Sequence, residues 1–360
     1  MKKITLIMIL FSIFGFSQQP KFVYNEVYKT ETAIGNKDDI LKISSYGYII
    51  KSEGDDFFLL DKDKNFEKSH IYTKRGKTPR ERKGEKVMLS TNDRYLCIIE
   101  FETDKTVLQV YDTINKKSKV IQHQKSNVVT ASIYNLDKIL YQIRESMSPP
   151  KVYLLEDDKE PIFVTEGLGE KWSPNGKWFL VEECMGTADK FGRKPISKFS
   201  LFDSDRKKVF ETTEFGIEGP VRWSPNSDKL VIGNYGGTSF YIIYLEEVEK
   251  KLIVKNKYHF PGFNNEPDKN QYYGVLNPEW SPDGSKISFL RMTEDGHISL
   301  DENVWILEDI SYSCYAISDF KNAHISNITW SQSGEIYVIK ETRDIEKIKK
   351  EIIKISERKL

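Results

Sequence analysis

Short apolar runs alternate with polar turns along most of this chain, and the runs favour Val, Ile, Leu, Phe and Tyr. That is the signature of strands joined by tight turns. One phrase recurs four times: Trp172-Ser-Pro-Asn-Gly, Trp223-Ser-Pro-Asn-Ser, Trp280-Ser-Pro-Asp-Gly and Trp330-Ser-Gln-Ser-Gly, each followed by an apolar run. The tryptophans are spaced by 51, 57 and 50 residues. Each letter has a mechanical reason. The Trp ends a strand and offers a large apolar plate to a neighbouring sheet. Ser-Pro opens a tight turn, because the proline ring fixes φ where a type I turn needs it. Asn-Gly or Asp-Gly then supplies the positive φ that closes a hairpin. The β-branched run after it is the next strand.

Weaker copies lie upstream. Leu89-Ser-Thr-Asn-Asp has Leu for Trp, Ile133-Tyr-Asn-Leu-Asp is more degenerate, and Ser44-Ser-Tyr-Gly is the faintest. A second phrase, a short strand ending in an acidic turn, follows most of the anchors, as in Leu108-Gln-Val-Tyr-Asp112 and Val304-Trp-Ile-Leu-Glu308. Repeats at this period predict an all-β propeller of four-stranded blades. Seven blades fit the anchors, with six as the alternative if the unit near residue 45 is a decoration. The last unit supplies only three strands, and the alternating stretch at 21–30 is expected to complete it and close the ring. Closure removes exposed sheet edges. The tail at 345–353 reads as a charged hairpin ending in the last strand, with an amphipathic helix as the other reading.

The Trp-Ser-Pro-Asp-Gly phrase resembles the TolB-type propeller repeat, over 165–340 most specifically. Similar repeats occur in propellers of prolyl-oligopeptidase-like peptidases and of oligogalacturonate lyase-type enzymes. The resemblance implies a ring that binds through one face. TolB carries an α/β domain before its propeller, whereas strands begin at once here. The chain has no Gly-x-Ser-x-Gly elbow, so the peptidase branch implies little. The lyase branch implies a metal held by loop histidines, and too few histidines fall in the loops to carry that set over.

Composition narrows the classes further. Of 360 residues 39% are hydrophobic, enough for a large core, and Lys+Arg equals Asp+Glu at 54 each. Such a balance gives no long-range field for nucleic acid. Lys2 and Lys3 precede an apolar run to Phe16, with Gly15 and Ser17 as small residues before a cut at Gln18. This reads as a signal peptide over 1–17, similar to export signals of Bacteroidetes-type bacteria, leaving 18–360 as one propeller domain in the periplasm or outside the cell. No later stretch is apolar enough to span a membrane. Three cysteines are too few for a disulfide scaffold, and Cys97 sits within an apolar strand as a small core residue.

The Ser-Pro-Asn-Gly turns make one face plain. The long connections at 74–86, 184–197, 258–277 and 292–303 gather on the other, which is the face expected to bind. Candidate binding residues there are Arg75, Arg80, Arg82 and Arg193, the aromatics Phe263, Tyr272 and Tyr273, and the histidines His259 and His297. Arginines suit phosphate, uronate or an acidic protein, aromatics suit sugar stacking or a protein hot spot, and the plain alternative is loop charge in solvent and aromatics packed on a blade edge. Carboxylates at Glu294, Asp295, Asp301 and Glu302 leave room for a divalent metal, but no spacing matches a metal motif. The chain is therefore expected to need no cofactor and to act as a monomeric, non-catalytic propeller that binds an envelope protein. The alternative is a carbohydrate-active protein, a polysaccharide lyase or a binder of acidic glycans.

Overall fold

The computed structural model describes residues 22–357, apart from 34–38, 47, 62–63, 74–81, 91–93, 103–104, 125–126, 145–148, 158, 185–195, 214–220, 234–236, 250, 264–271, 295–298, 322 and 344–346. The expected signal peptide lies outside these residues. The described residues are strands and turns without a helix.

The first sheet holds β2 (Asp39–Ile43), β3 (Tyr48–Glu53), β4 (Asp56–Asp61) and β5 (Glu67–Thr73). The second holds β6 (Arg82–Leu89), β7 (Tyr95–Glu102), β8 (Lys105–Asp112) and β9 (Ser118–Gln124). A seven-stranded sheet follows, with β10 (Asn127–Asn135), β11 (Lys138–Arg144), β12 (Lys151–Glu156), β13 (Ile162–Trp172), β14 (Trp178–Cys184), β15 (Ile196–Asp203) and β16 (Lys208–Thr212). The next two sheets are β17 (Val221–Trp223), β18 (Lys229–Gly233), β19 (Phe240–Val248) and β20 (Lys251–Phe260), then β21 (Tyr272–Trp280), β22 (Lys286–Glu294), β23 (Ser299–Glu308) and β24 (Cys314–Ala316). The last combines β25 (His324–Trp330), β26 (Ile336–Arg343) and β27 (Lys347–Glu357) with β1 (Phe22–Ala33), which pairs antiparallel to β27 from Phe22↔Glu357 to Ala33↔Lys347. This is a β-propeller, and the N-terminal strand completes the sheet made by the C-terminus.

The units expected from the sequence are thus five separate four-stranded sheets and one seven-stranded sheet. The reason lies in β13. Its first half pairs with β12, from Ile162 to Glu166, and its second with β14, from Gly167 to Trp172. One unbroken strand is therefore the outer strand of one group and the inner strand of the next. Gly167 sits at the changeover, where a side-chain carbon would run into the Glu182 carbonyl and the Val181 side chain. Only glycine fits such a backbone approach.

Serine, more than tryptophan, holds the repeat together locally. Ser44, Ser90, Ser173, Ser224, Ser281 and Ser331 each donate a backbone N–H across the hairpin that follows. Each Oγ also accepts a backbone N–H from the next strand, for instance Trp178 N at 3.0 Å and Lys286 N at 2.9 Å. The faint anchors at 44 and 89 carry the same clamp as the clear ones. Positive φ falls on Gly176, Ser227, Gly284 and Gly334, the closing residues of the four clear turns.

Between sheets the core divides into seams. Trp223 packs with Leu180, Phe199 and Leu201 of the preceding sheet, and Trp280 with Val231, Phe240 and Ile242. Trp330 meets Leu290, Val304 and Ile306. Ile43, Ile49 and Leu60 meet Tyr337, Ile339 and Ile352, so the first sheet lies on the last. The Thr329 hydroxyl donates to Ile43 O at 3.2 Å across that seam. Trp172 is 0% exposed, Trp223 4%, Trp280 7% and Trp330 9%. Cys97 is buried, and burial pushes its thiol up to about 12, where it is inert.

The acidic turns of the second phrase have a structural use. Asp112 accepts from Arg94 Nη2 at 2.8 Å and from the amides of Ile114 and Asn115 at 3.0 and 3.1 Å. Burial works against its charge, yet Arg94 and the two amides hold the carboxyl below the usual aspartate range.

Two stability tests follow from these contacts. Trp280→Ala should cost about 3–5 kcal/mol, the range for truncating a large buried aromatic; a loss below about 1 kcal/mol in denaturant melts would show that the plate does not carry the seam. Asp112→Asn should cost about 2 kcal/mol at neutral pH, as for lost hydrogen bonds to a charged group. Because the folded carboxyl titrates low, its contribution is present above the unfolded value of about 4 and is lost as pH falls through the folded one. The gap between wild type and variant should therefore shrink as pH falls below about 4; a constant gap would exclude this role of the charge.

Candidate functional site

Inner strands in this architecture have two jobs. Side chains alternate along a strand, so when each Trp turns into a seam the residue before it turns the other way. The residues before the four tryptophans are Lys171, Arg222, Glu279 and Thr329, and all four line one cavity of about 580 Å³. Its wall takes residues from β2, β6, β10, β13, β17, β21 and β25, the first strand of each group. It is the central channel of the ring. Pro174, Pro225, Pro282 and Gln332 also line it, so the cavity reaches the end where the tight turns lie.

The channel wall and the seams are coupled through the backbone. The Trp223 indole N–H donates to Lys171 O at 3.4 Å, that of Trp280 to Arg222 O at 3.3 Å, and that of Trp330 to Glu279 O at 3.3 Å and Ser288 Oγ at 2.8 Å. Each plate thus bonds the carbonyl of a channel residue one unit earlier. Arg222 and Glu279 also meet inside the channel, with Nε to Oε1 at 2.7 Å and both side chains about one-third exposed.

Among the residues singled out from the sequence, Arg75, Arg80, Arg193 and His297 lie outside the described residues. Arg82 opens β6 opposite Glu102, and Tyr272 and Tyr273 open β21 opposite Glu294 and Thr293; their side chains are likewise outside what is described. His259 is on β20, the outer strand of its sheet, with its ring stacked on Tyr241 at 4.5 Å between centroids. Phe263 packs edge-on against Trp305 at 4.7 Å and beneath the Arg291 guanidinium at 4.4 Å. Neither side chain lines the channel. Glu302 is 4% exposed and accepts from Ile325 N at 2.6 Å, with His324 Nδ1 at 2.9 Å, so this carboxylate ties β23 to β25.

The long connections are also shorter than the sequence suggested. Strands run to Phe260 and Glu294 and resume at Tyr272 and Ser299, and β6 begins at Arg82. The connections from β5 to β6 and from β20 to β21 join different sheets, and that from β22 to β23 is a hairpin. The channel residues were overlooked for another reason: a single polar letter before each Trp looks like ordinary alternation. The signal available was that this letter is charged in three of the four clear copies.

No protein-family model and no curated protein matches the chain. Solved structures do. The β-propeller domain of Cps50 (Swd1) from Myceliophteria thermophila is 11% identical, with a TM-score of 0.58 over 91% of this chain and 99% of that one. An oligogalacturonate lyase from Vibrio parahaemolyticus is 10% identical, with a TM-score of 0.54 over 92% and 98%. TolB from Acinetobacter baumannii is 14% identical over 90% and 79%, at a TM-score of 0.41, too loose to separate one kind of propeller from another. At such identities the likeness is one of fold, and the chain is a β-propeller.

The ion pair in the channel has its own test. Being partly exposed, it should contribute little to stability, and a double-mutant cycle with Arg222→Ala and Glu279→Ala should give a coupling of about 1 kcal/mol or less. A coupling above about 3 kcal/mol, typical of breaking a buried pair, would make it a strut of the seam instead of a lining of the channel.

Proposed function

We propose that this chain is an exported, non-catalytic β-propeller that holds a protein partner in the periplasm or cell envelope. The reading takes residues 1–17 as the export signal and 18–360 as one monomeric domain. It takes the seven-stranded sheet as two blades sharing β13, which makes seven blades in all. In support, Leu140, Val152 and Leu154 form a seam with Trp172, Phe179 and Val181 inside that sheet, like the seams between separate sheets. On its repeat phrase it belongs with TolB-like propellers.

The observation that carries the binding reading is the channel. It is a concave cavity of a size usual for ligand pockets, about 300–1,000 Å³, with polar groups converging from every inner strand. Other described charges tie the sheets together. Lys229, for example, bonds Asp309 at 2.7 Å and Gly284 O at 2.9 Å across a seam, and Lys208 bonds Glu183 at 2.7 Å.

A second reading, a protein acting on acidic glycans, draws on the excess of cations in the same channel. Lyase action would release unsaturated uronates that absorb in the ultraviolet. The two readings separate in one experiment. The mature protein is crosslinked in its own envelope, beside a Lys86→Gln/Lys171→Gln variant. Recovery of a discrete protein with the native chain, and its loss with the variant, is the expected outcome. Equal recovery by both would remove the channel as the binding place, and recovery of polysaccharide alone would favour the glycan reading.

A further inference from the structure

The turn end of the channel is built from one repeated position, the residue after each anchor serine. It is Pro174, Pro225 and Pro282 in the turns after β13, β17 and β21, Gln332 after β25 and Ser45 after β2, and all five line the cavity. The mouth therefore has two arcs. One shows three half-buried pyrrolidine rings. The other is polar and bonded to itself: Gln332 N donates to Ser45 O at 3.2 Å, and Gln332 Nε2 to Ser45 Oγ at 3.1 Å.

Tyr46 stands beside the polar arc. It lines the cavity, is 38% exposed, and packs on no other aromatic ring among the described residues. It also lies outside the seams on either side of its sheet. The turn does not ask for it. Asn175, Asn226 and Asp283 fill the equivalent position in the clear repeats, and short polar side chains are what such turns favour. A large ring that serves neither the turn nor a seam, and that faces a cavity, is available to a ligand.

Tyr46 alone would take a sugar or a flat aromatic group equally well. The proline arc decides between them. An aromatic ring carries the negative side of its quadrupole on its face. The ring hydrogens of proline, close to an amide nitrogen, are polarised positive, so the two are complementary in charge. A sugar brings C–H groups of the same polarity as those of proline and gains only dispersion there. The cavity of about 580 Å³ is larger than any single side chain, so it has room for one with peptide on either side of it.

We infer that the turn-end mouth of the channel takes an aromatic side chain from an extended segment of the protein partner, with its ring against Tyr46 and the arc of Pro174, Pro225 and Pro282. The inference rests on the reading of the chain as a protein-binding propeller and names the anchor by which the partner is held. A few aromatic anchors seated in concave sites carry most of the energy of many protein interfaces. The inference also places binding at the end that the turn phrases mark as plain.

The test titrates the mature protein with two neutral peptides, acetyl-Gly-Ser-Gly-Trp-Gly-Ser-Gly-amide and its counterpart with Leu for Trp, followed by saturation-transfer NMR. The Trp peptide should bind saturably, and the Leu peptide at least about twofold more weakly, the lower end for one aromatic pair. Tyr46→Ala should weaken the Trp peptide about two- to tenfold, while Tyr46→Phe should bind it as the native chain does. Pro225→Ser/Pro282→Ser should also weaken it; serine already fills that turn position at Ser45. If this pair does not fold, the two Tyr46 variants still decide the matter, because the ring lies outside the seams. Equal binding of both peptides, or Trp-peptide binding untouched by Tyr46→Ala, would overturn the inference, and so would tighter binding of oligogalacturonate than of the Trp peptide. If the Trp peptide does not bind while a discrete protein is still captured from the envelope, the aromatic anchor falls and the protein-binding reading stands. Capture of polysaccharide alone would overturn both.

Discussion

Everything in this molecule depends on an aromatic plate that one sheet cannot bury by itself. A four-stranded sheet has two apolar faces and must be covered on both. The tryptophans at 223, 280 and 330 do this by leaning on the preceding sheet and donating an indole N–H to its innermost strand. The demand passes from sheet to sheet, and an open arc would leave a bare face at each end. The ring therefore closes, with Ile43 and Ile49 on Tyr337 and Ile339. β1 covers the outer edge of the last sheet through its pairing with β27, so the two ends of the chain are fixed in one sheet.

The channel is a by-product of the same geometry. Strand alternation forces the neighbour of each seam residue into the ring's axis. Its peptide carbonyl is meanwhile engaged by the next Trp. A side chain there can change without touching the plate, while its backbone stays pinned. That is how a site comes to sit on rigid elements: the indole bonds hold the carbonyls of Lys171, Arg222 and Glu279, and the lining side chains project from a backbone fixed in this way. Lys171, Arg222 and Glu279 all stand at such positions, and the charge of the channel is set by letters that packing leaves unconstrained.

Much of the fold was legible because its turns are written in residues with single meanings. Trp-Ser-Pro-Asn-Gly leaves little choice of local structure, and the conserved hydrogen-bonding of its serine extends to anchors as faint as Ser44 and Ser90 within this one chain. The continuity of β13 was not legible. A glycine inside a strand ordinarily weakens it, whereas Gly167 serves a close backbone approach inside an unbroken strand. The long loops were over-read, because strands run to Phe260 and Glu294 and resume at Tyr272 and Ser299. Phe263, for which sugar stacking, a protein hot spot and packing on a blade edge were all open from sequence, packs on Trp305. The channel escaped notice because its residues are adjacent only in the ring, drawn from positions as distant as Lys42 and Asn327.

The central claim is that the ring binds through its channel and not through its rim. A photoreactive amino acid at Tyr46, which lines the channel and is 38% exposed, would test it against the same group at Phe163, which is 51% exposed and outside the channel lining. Illumination in the native envelope should join the partner to the Tyr46 position and leave the Phe163 position unlinked. A partner captured only from Phe163 would contradict the account and move binding to the outer surface of the ring.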